Sequence, residues 1–404
     1  MHIQSLKQIK NLMPEVVVER KLLGKLQEDL LRREIQIIYG PRQIGKSTLM
    51  YALMESSFSD KQDMFYFNLD QMEPSFDTAE LFLADIRSRK RHSGRVLVFI
   101  DEIQRKRDIG LFLKYIYDRR EAIKFVVTGS SSLNIKSIIH EPLTGRKFEY
   151  MLHPMGVAEL FSHNKLDPSG LKLTTPAMKQ ILDEYLLYGG YPEVVLSVGA
   201  EDKLAKLKEI ASSYIRRDLI EMFDIRNSTE LERTAIYLGQ NIASLLSKEN
   251  VAKTTGISVH QVNNYLEALT KSFILDPVFP FYRNPAKELI HRPKLYFIDN
   301  GIRNVLLQKT ANSLIASDLG ILFEQSVLQI LRQKGLEKIR FWRNYNQTEV
   351  DFIVETAQGL SAFEVKYSWE KNSLPASLNS FVSQYKKNIL TARVITKDNY
   401  YHLL

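Results

Sequence analysis

Gly40-Pro41-Arg42-Gln43-Ile44-Gly45-Lys46-Ser47-Thr48 decides the reading of this 404-residue chain. The stretch has the form G-x-x-x-x-G-K-[ST]. An apolar run, Ile35–Tyr39, precedes it, and Leu49–Leu53 continues beyond it in a helical pattern. Strand, loop and helix in that order form the setting in which such a loop cradles phosphate. Gly40 and Gly45 let the backbone curl so that successive N–H groups point at phosphate oxygens. The following helix directs its positive end to the same place. Lys46 reaches the outer phosphates, and Ser47 offers a hydroxyl to Mg²⁺. Gly40 through Thr48 are therefore the expected ATP contacts.

Val96-Leu97-Val98-Phe99-Ile100 followed by Asp101-Glu102 is the second signal. Near-continuous apolar residues predict a parallel strand buried on both faces. Its carboxyl end, where ligands of open α/β sheets bind, then carries two acids. Asp101 is expected to hold Mg²⁺ through water, and Glu102 to polarise the attacking water. An acidic turn gives the same pattern, but the upstream phosphate loop favours the chemical reading. Met64–Leu69 and Lys124–Thr128 supply further strands, and Glu80–Arg89 a helix. Ser130, just past Lys124–Thr128, is placed either to orient the lytic water or to cap a helix.

The chain contains no cysteine, which excludes disulfides and thiolate metal sites and fits a reducing cytoplasm. No apolar run approaches a membrane span, so no membrane partner is expected. Met1–Leu12 reads as a loosely held polar arm without a signal-type segment. The net charge of +8 suits a nucleic-acid partner and equally a basic soluble protein.

Leu143-Thr144-Gly145-Arg146 comes next. The order of phosphate loop, Asp-Glu strand end, polar strand end and Gly-Arg resembles the AAA+ ATPase core. In that group an arginine so placed often reaches a neighbouring subunit's nucleotide. The resemblance therefore implies a homo-oligomer with Arg146 as a trans-acting finger that neutralises the transferring phosphoryl group; a surface arginine pairing with a local acid gives the same residues. After a helical pattern over Met178–Tyr188 comes Gly189-Gly190-Tyr191-Pro192-Glu193. In related signalling ATPases a Gly-x-Pro of the helical lid packs on the adenine, which implies Gly190 and Pro192 here. A plain helix–helix corner gives the same residues.

Beyond Asn227 the pattern changes. Helices over Thr229–Leu246, Glu249–Thr255 and Val259–Ser272, then the apolar Phe273–Phe281 with two prolines, resemble a winged helix. Ser258, His260, Gln261, Asn263 and Asn264 lie early on its recognition helix, where short polar groups can read base edges, but few basic residues surround them and winged helices also serve as spacers and protein contacts. The last segment holds Glu324 on a helix, Asp351 on the strand Glu349–Val354, and Glu364-x-Lys366 closing the strand Leu360–Lys366. This ordered set resembles the PD-(D/E)-x-K nuclease core. Glu324, Asp351 and Glu364 would hold Mg²⁺ against a scissile phosphate, and Lys366 would stabilise the attacking hydroxide.

Taken together, G-P-R-Q-x-G-K-[ST], L-T-G-R, Y-G-G-Y-P-E, Y-I-R-R-D, E-V-D-F and E-V-K resemble prokaryotic AAA+-type ATPases with a C-terminal domain of unknown function related to restriction-type nucleases. The expected fold is α/β: a P-loop core over 1–152, a helical lid over 153–226, a winged helix over 227–288 and a nuclease-like domain over 289–404. The expected function is ATP hydrolysis coupled to binding or processing of DNA rather than RNA. The alternative is a nucleotide-dependent switch or scaffold whose C-terminal domain does not cleave.

Overall fold

The structure, a computed structural model, describes residues 1–70, 77–106, 108–129, 142–167, 175–214, 219, 223, 225, 227–282, 292–336, 338–371 and 373–404. The chain forms two compact units, Met1–His153 and Pro154–Leu404.

The first unit is built on strands β1 (His2–Ile3), β2 (Ile35–Tyr39), β3 (Met64–Asn68), β4 (Val96–Asp101), β5 (Ile123–Gly129) and β6 (Lys147–Met151). Their order across the sheet is β1-β3-β4-β5-β2-β6. All neighbours from β3 to β6 are parallel, and β1 alone is antiparallel. Alternate residues of these strands form one apolar face. Ile35, Ile37, Phe65, Phe67, Val98, Ile100, Phe125 and Val127 meet Phe82, Leu83 and Ile86 of helix Ala79–Arg89 and Phe112, Leu113 and Ile116 of helix Ile109–Asp118. Each such fully buried side chain contributes about 1.5–3 kcal/mol. Helix Lys46–Ser57 buries Leu49, Met50, Leu53 and Met54 and lies beside helices Leu6–Lys10 and Leu22–Asp29.

One local expectation changes. The N-terminal stretch is an edge strand and a short helix, not a loose arm, because Ile3 and Ile9 are apolar enough to be drawn into the core. The parallel strand β6 follows Arg146, and its Tyr150 hydroxyl donates to Asp29 Oδ2 at 2.7 Å.

In the second unit, helices Ser228–Gln240, Lys248–Thr255 and Val259–Lys271 precede strands β7 (Leu275–Pro280) and β8 (Lys294–Phe297). Helix Ala316–Gln333 leads to β9 (Ile339–Arg343), β10 (Glu349–Thr356) and β11 (Gly359–Val365), and helix Ala376–Tyr385 to β12 (Ile389–Ile395). The strands form one sheet ordered β12-β11-β10-β9-β7-β8. β7 pairs with β8 over Leu275–Val278 and with β9 through Phe279 and Pro280. A division at 288/289 therefore falls inside the β7–β8 pair. The loop that would form a wing, 283–291, lies outside the described residues, as do Ile215 to Asp218 of the Y-I-R-R-D stretch.

Asp299-Asn300-Gly301 opens a short buried helix, Asn300–Leu306. The Asn304 amide donates to the carbonyls of Leu186 and Leu187 at 3.0 and 2.9 Å, satisfying the end of helix Pro176–Tyr188. Arg303 Nε donates to Gly239 O at 2.9 Å. Asn300 Nδ2 donates to Ser326 Oγ at 2.8 Å and accepts at Oδ1 from Gln325 at 2.5 Å. Such buried polar groups are tolerated because they are paired.

Candidate functional site

The loop after β2 has the shape its glycines foretold. Gly40 and Gly45 stand at φ +152° and +87°, and Gln43 is also left-handed at +57°. A Cβ on Gly40 would lie 2.3 Å from the Leu152 carbonyl oxygen, so only glycine fits there. Ile44 is fully buried, Pro41 is buried, and Arg42 is half-buried. Lys46 is buried, and its Nζ donates to the carbonyls of Pro41 (2.6 Å) and Gly40 (3.2 Å), in the hollow of its own loop. Burial lowers its pKa to about 8, against the upward pull of Glu102 and Asp101. Ser47 and Thr48 sit half-buried on the first turn of the helix.

Arg20, which the sequence did not single out, braces this loop from behind. It is buried, and its guanidinium donates to Ile44 O at 3.0 Å and His153 O at 2.6 Å. Its partners lie 24 and 133 residues away, so no local pattern reveals it.

Asp101 ends β4 and is buried. Its Oδ1 accepts from the Thr128 hydroxyl and from the Glu102 N–H at 3.2 Å. Thr128, fully buried near the end of β5, is thus the polar side chain that the structure brings to the acids. Ser130 lies outside the described residues. Glu102 holds a left-handed φ of +57°, and its carboxylate accepts from the Gln104 amide.

Arg146 sits elsewhere. β2 and β6 run parallel, with Ile35 opposite Lys147 and Tyr39 opposite Met151. Arg146 therefore lies at the amino edge of the sheet, about 16 Å along the strand from the phosphate loop. Its guanidinium makes two bonds to Asp118, at 2.7 and 3.2 Å, and a third to Thr144 O at 3.1 Å. This removes Arg146 from the nucleotide site of its own chain. Exposed ion pairs of this kind matter little, so Arg146→Ala is expected to leave the phosphate-release rate within about twofold of wild type. A tenfold loss would restore the finger.

Gly190, expected at the adenine, is held within the second unit. Its N–H donates to Asp299 Oδ2 at 2.7 Å, and a Cβ added there would lie 2.0 Å from Met155 O. Both approaches to it are occupied within the second unit. Pro192 opens helix Pro192–Leu196 at such a corner.

In the C-terminal segment the predicted residues do gather. The pairing Phe352 to Phe363 sets Asp351 of β10 beside Glu364 of β11, and the Val365 N–H donates to Asp351 Oδ2 at 2.7 Å. Lys366 Nζ lies 2.9 Å from Glu364 Oε1. Glu324 accepts from the Tyr296 hydroxyl at 2.6 Å. Lys294, another residue missed in the sequence, enters among them. Its buried Nζ pairs with Glu349 and lies 3.8 Å from Glu324 and 4.0 Å from Asp351. Burial, and then the charges of Glu324 and Glu364, push the Asp351 carboxyl well above the usual carboxylate range. Burial also raises Glu324. Among the described residues, no three acidic or histidine side chains converge to hold a metal ion. Of the expected Mg²⁺ set of Glu324, Asp351 and Glu364, the first two thus have the Lys294 ammonium beside them, and Glu364 has Lys366.

On the Val259–Lys271 helix, Ser258, His260 and Asn264 are exposed and Asn263 is half-buried. Gln261 is engaged in the helix cap and with Glu230 Oε2 at 3.3 Å. No helix among the described residues is long and apolar enough to cross a membrane.

A family model described as an AAA domain matches residues 32–161. Two described as domains of unknown function, DUF8612 and DUF4143, match 179–313 and 319–402. An uncharacterized protein of Methanocaldococcus jannaschii is 26% identical, over 95% of this chain and 87% of its own length. Uncharacterized proteins of Mycobacterium tuberculosis and Haemophilus influenzae are 24% and 23% identical, over 87% and 89% of this chain and 74% and 89% of their own lengths. Among solved structures, the ADP form of the Aeropyrum pernix ORC2 protein aligns with a TM-score of 0.39 at 15% identity, over 75% of this chain and 97% of that one. A STAND protein with a tetratricopeptide repeat sensor from Pyrococcus horikoshii gives 0.31 at 13% identity, over 80% of this chain and 46% of that one. The segment that matches the AAA domain, 32–161, holds strands β2 to β6 and the phosphate loop.

Proposed function

We propose that the chain hydrolyses ATP and that its nucleotide state governs DNA binding by the remainder of the molecule. The observation that carries the first half is the phosphate loop. Three left-handed residues curl it, and a buried lysine is folded into its hollow near two strand-end acids. Lys46 would leave the loop carbonyls for the outer phosphates of ATP. Ser47 and Asp101 offer hard oxygen donors of the kind Mg²⁺ prefers, and would hold it there. The ion would neutralise charge on the phosphates. Glu102 is the base for the attacking water, and Thr128 with Asp101 fixes its position.

The second half rests on the net charge of +8 and on a three-helix segment followed by a strand pair, which we read as a winged helix presenting His260 and Asn264. The helix–three strands–helix–strand order after Ala316 supports a nuclease-like fold for the C-terminal segment. It does not supply cutting, since the acids there do not fit a metal, and the non-cleaving alternative is the better reading of that segment. The test is nucleotide binding and ATP turnover with and without DNA. Lys46→Ala should lose ATP binding by at least about tenfold. Wild-type protein should be retained on DNA at low salt and turn over faster with it. A chain that ignores DNA in both assays loses the second half of the reading and keeps the first.

A further inference from the structure

We propose that Lys294 is the resident cation of the C-terminal carboxylate cluster, so that this cluster takes no divalent metal. The inference rests on the nuclease-like reading of the segment and concerns what its acids hold. Lys294 and Tyr296 share one face of β8, two residues apart, and both reach Glu324. The same ammonium pairs with Glu349 and stands 4.0 Å from Asp351. It also lies 5.5 Å from the centre of the Phe341 ring, which fixes it further.

The surrounding bonds engage most of the cluster, and the buried Glu364 Oε2 is the oxygen they leave without a partner among the described residues. The Val365 N–H uses one oxygen of Asp351, Lys366 uses one of Glu364, and Arg343 lies 3.6 Å from Glu349. Mg²⁺ demands about six oxygens at roughly 2.0–2.1 Å. Here Glu324 and Asp351 instead stand 3.8 and 4.0 Å from an ammonium. A divalent ion entering the same space would meet the lysine's charge at close range in a buried setting. The lysine comes from β8, outside the 319–402 segment that matches DUF4143. The preceding segment thus supplies the charge that a metal would otherwise bring.

Mn²⁺ alone, without nucleotide, is the probe, titrated into the full chain and followed by electron paramagnetic resonance and calorimetry. Wild type and Asp351→Asn should bind it identically, with no Asp351-dependent site tighter than about 1 mM. Lys294→Met should gain a site at least about tenfold tighter, lost again when Asp351→Asn is added. Circular dichroism checks the fold, and if Lys294→Met does not fold, the comparison of wild type with Asp351→Asn decides alone. Asp351-dependent Mn²⁺ binding by the wild-type protein overturns the proposal. So does a folded Lys294→Met protein that binds no tighter than wild type. ATP turnover and DNA retention by the same preparations report separately on the function proposed above.

Discussion

Glu102→Gln is expected to bind ATP as wild type does and to hydrolyse it at least about 100-fold more slowly, the usual worth of a positioned general base. The geometry singles out this acid rather than its neighbour. Asp101 is buried and accepts from Thr128 and from the Glu102 N–H. Glu102 comes one residue later in a left-handed conformation that costs a non-glycine residue about 1–2 kcal/mol. Its N–H bond to Asp101 holds it there, and the turn carries its carboxylate off the strand. The substitution keeps the size and the hydrogen bonds of the side chain and removes only its basicity, so binding should be spared. Single-turnover hydrolysis separates the two effects. Unchanged turnover in Glu102→Gln would assign the base elsewhere, with Thr128 and Asp101 left as the nearest polar groups.

The parts of this site that were legible in the sequence share one property: their partners are close in the chain or their pattern is dense. The phosphate loop is nine consecutive residues, and β4 is five apolar residues running into two acids. The order Glu324, Asp351, Glu364-x-Lys366 was readable because strand alternation alone brings those acids together. What stayed hidden was set by distant pairing. Arg20 acts through carbonyls of Ile44 and His153, and Lys294 through acids at least 30 residues on. Helix Asn300–Leu306 reads as a polar turn because its asparagines and arginine face solvent in most chains, whereas here they meet backbone carbonyls from remote helices. Arg146 and Gly190 show the converse. Their motifs were recognisable, but their partners within the chain, Asp118 and Asp299, lie 28 and 109 residues away and were not.

Gly190→Ala is expected to destabilise the second unit by about 3 kcal/mol or more, because overpacking here meets backbone rather than a yielding side chain. The new Cβ would lie 2.0 Å from Met155 O, on the residue whose carbonyl accepts from the Met155 N–H at 2.7 Å. The unfolding temperature of that unit should fall by roughly 6–12 °C. Asp299 makes the same corner sensitive to pH. Burial raises its pKa to about 6 from the usual 3.8, although the N–H groups of Gly190, Ile302 and Gly301 pull it down. The folded state therefore holds this proton more tightly than the unfolded state. The stabilisation is full below about pH 4 and is lost as the pH rises through about 6. Asp299→Asn cannot titrate and loses one acceptor oxygen facing those N–H groups, so it should be less stable than wild type. Its deficit should shrink by on the order of 3 kcal/mol between about pH 4 and pH 7, as the wild-type carboxylate begins to carry its own burial cost. Urea unfolding of both proteins at the two pH values reads this directly. A deficit that stays constant would mean that Asp299 does not change charge on folding, and the corner would then be held by its hydrogen bonds alone.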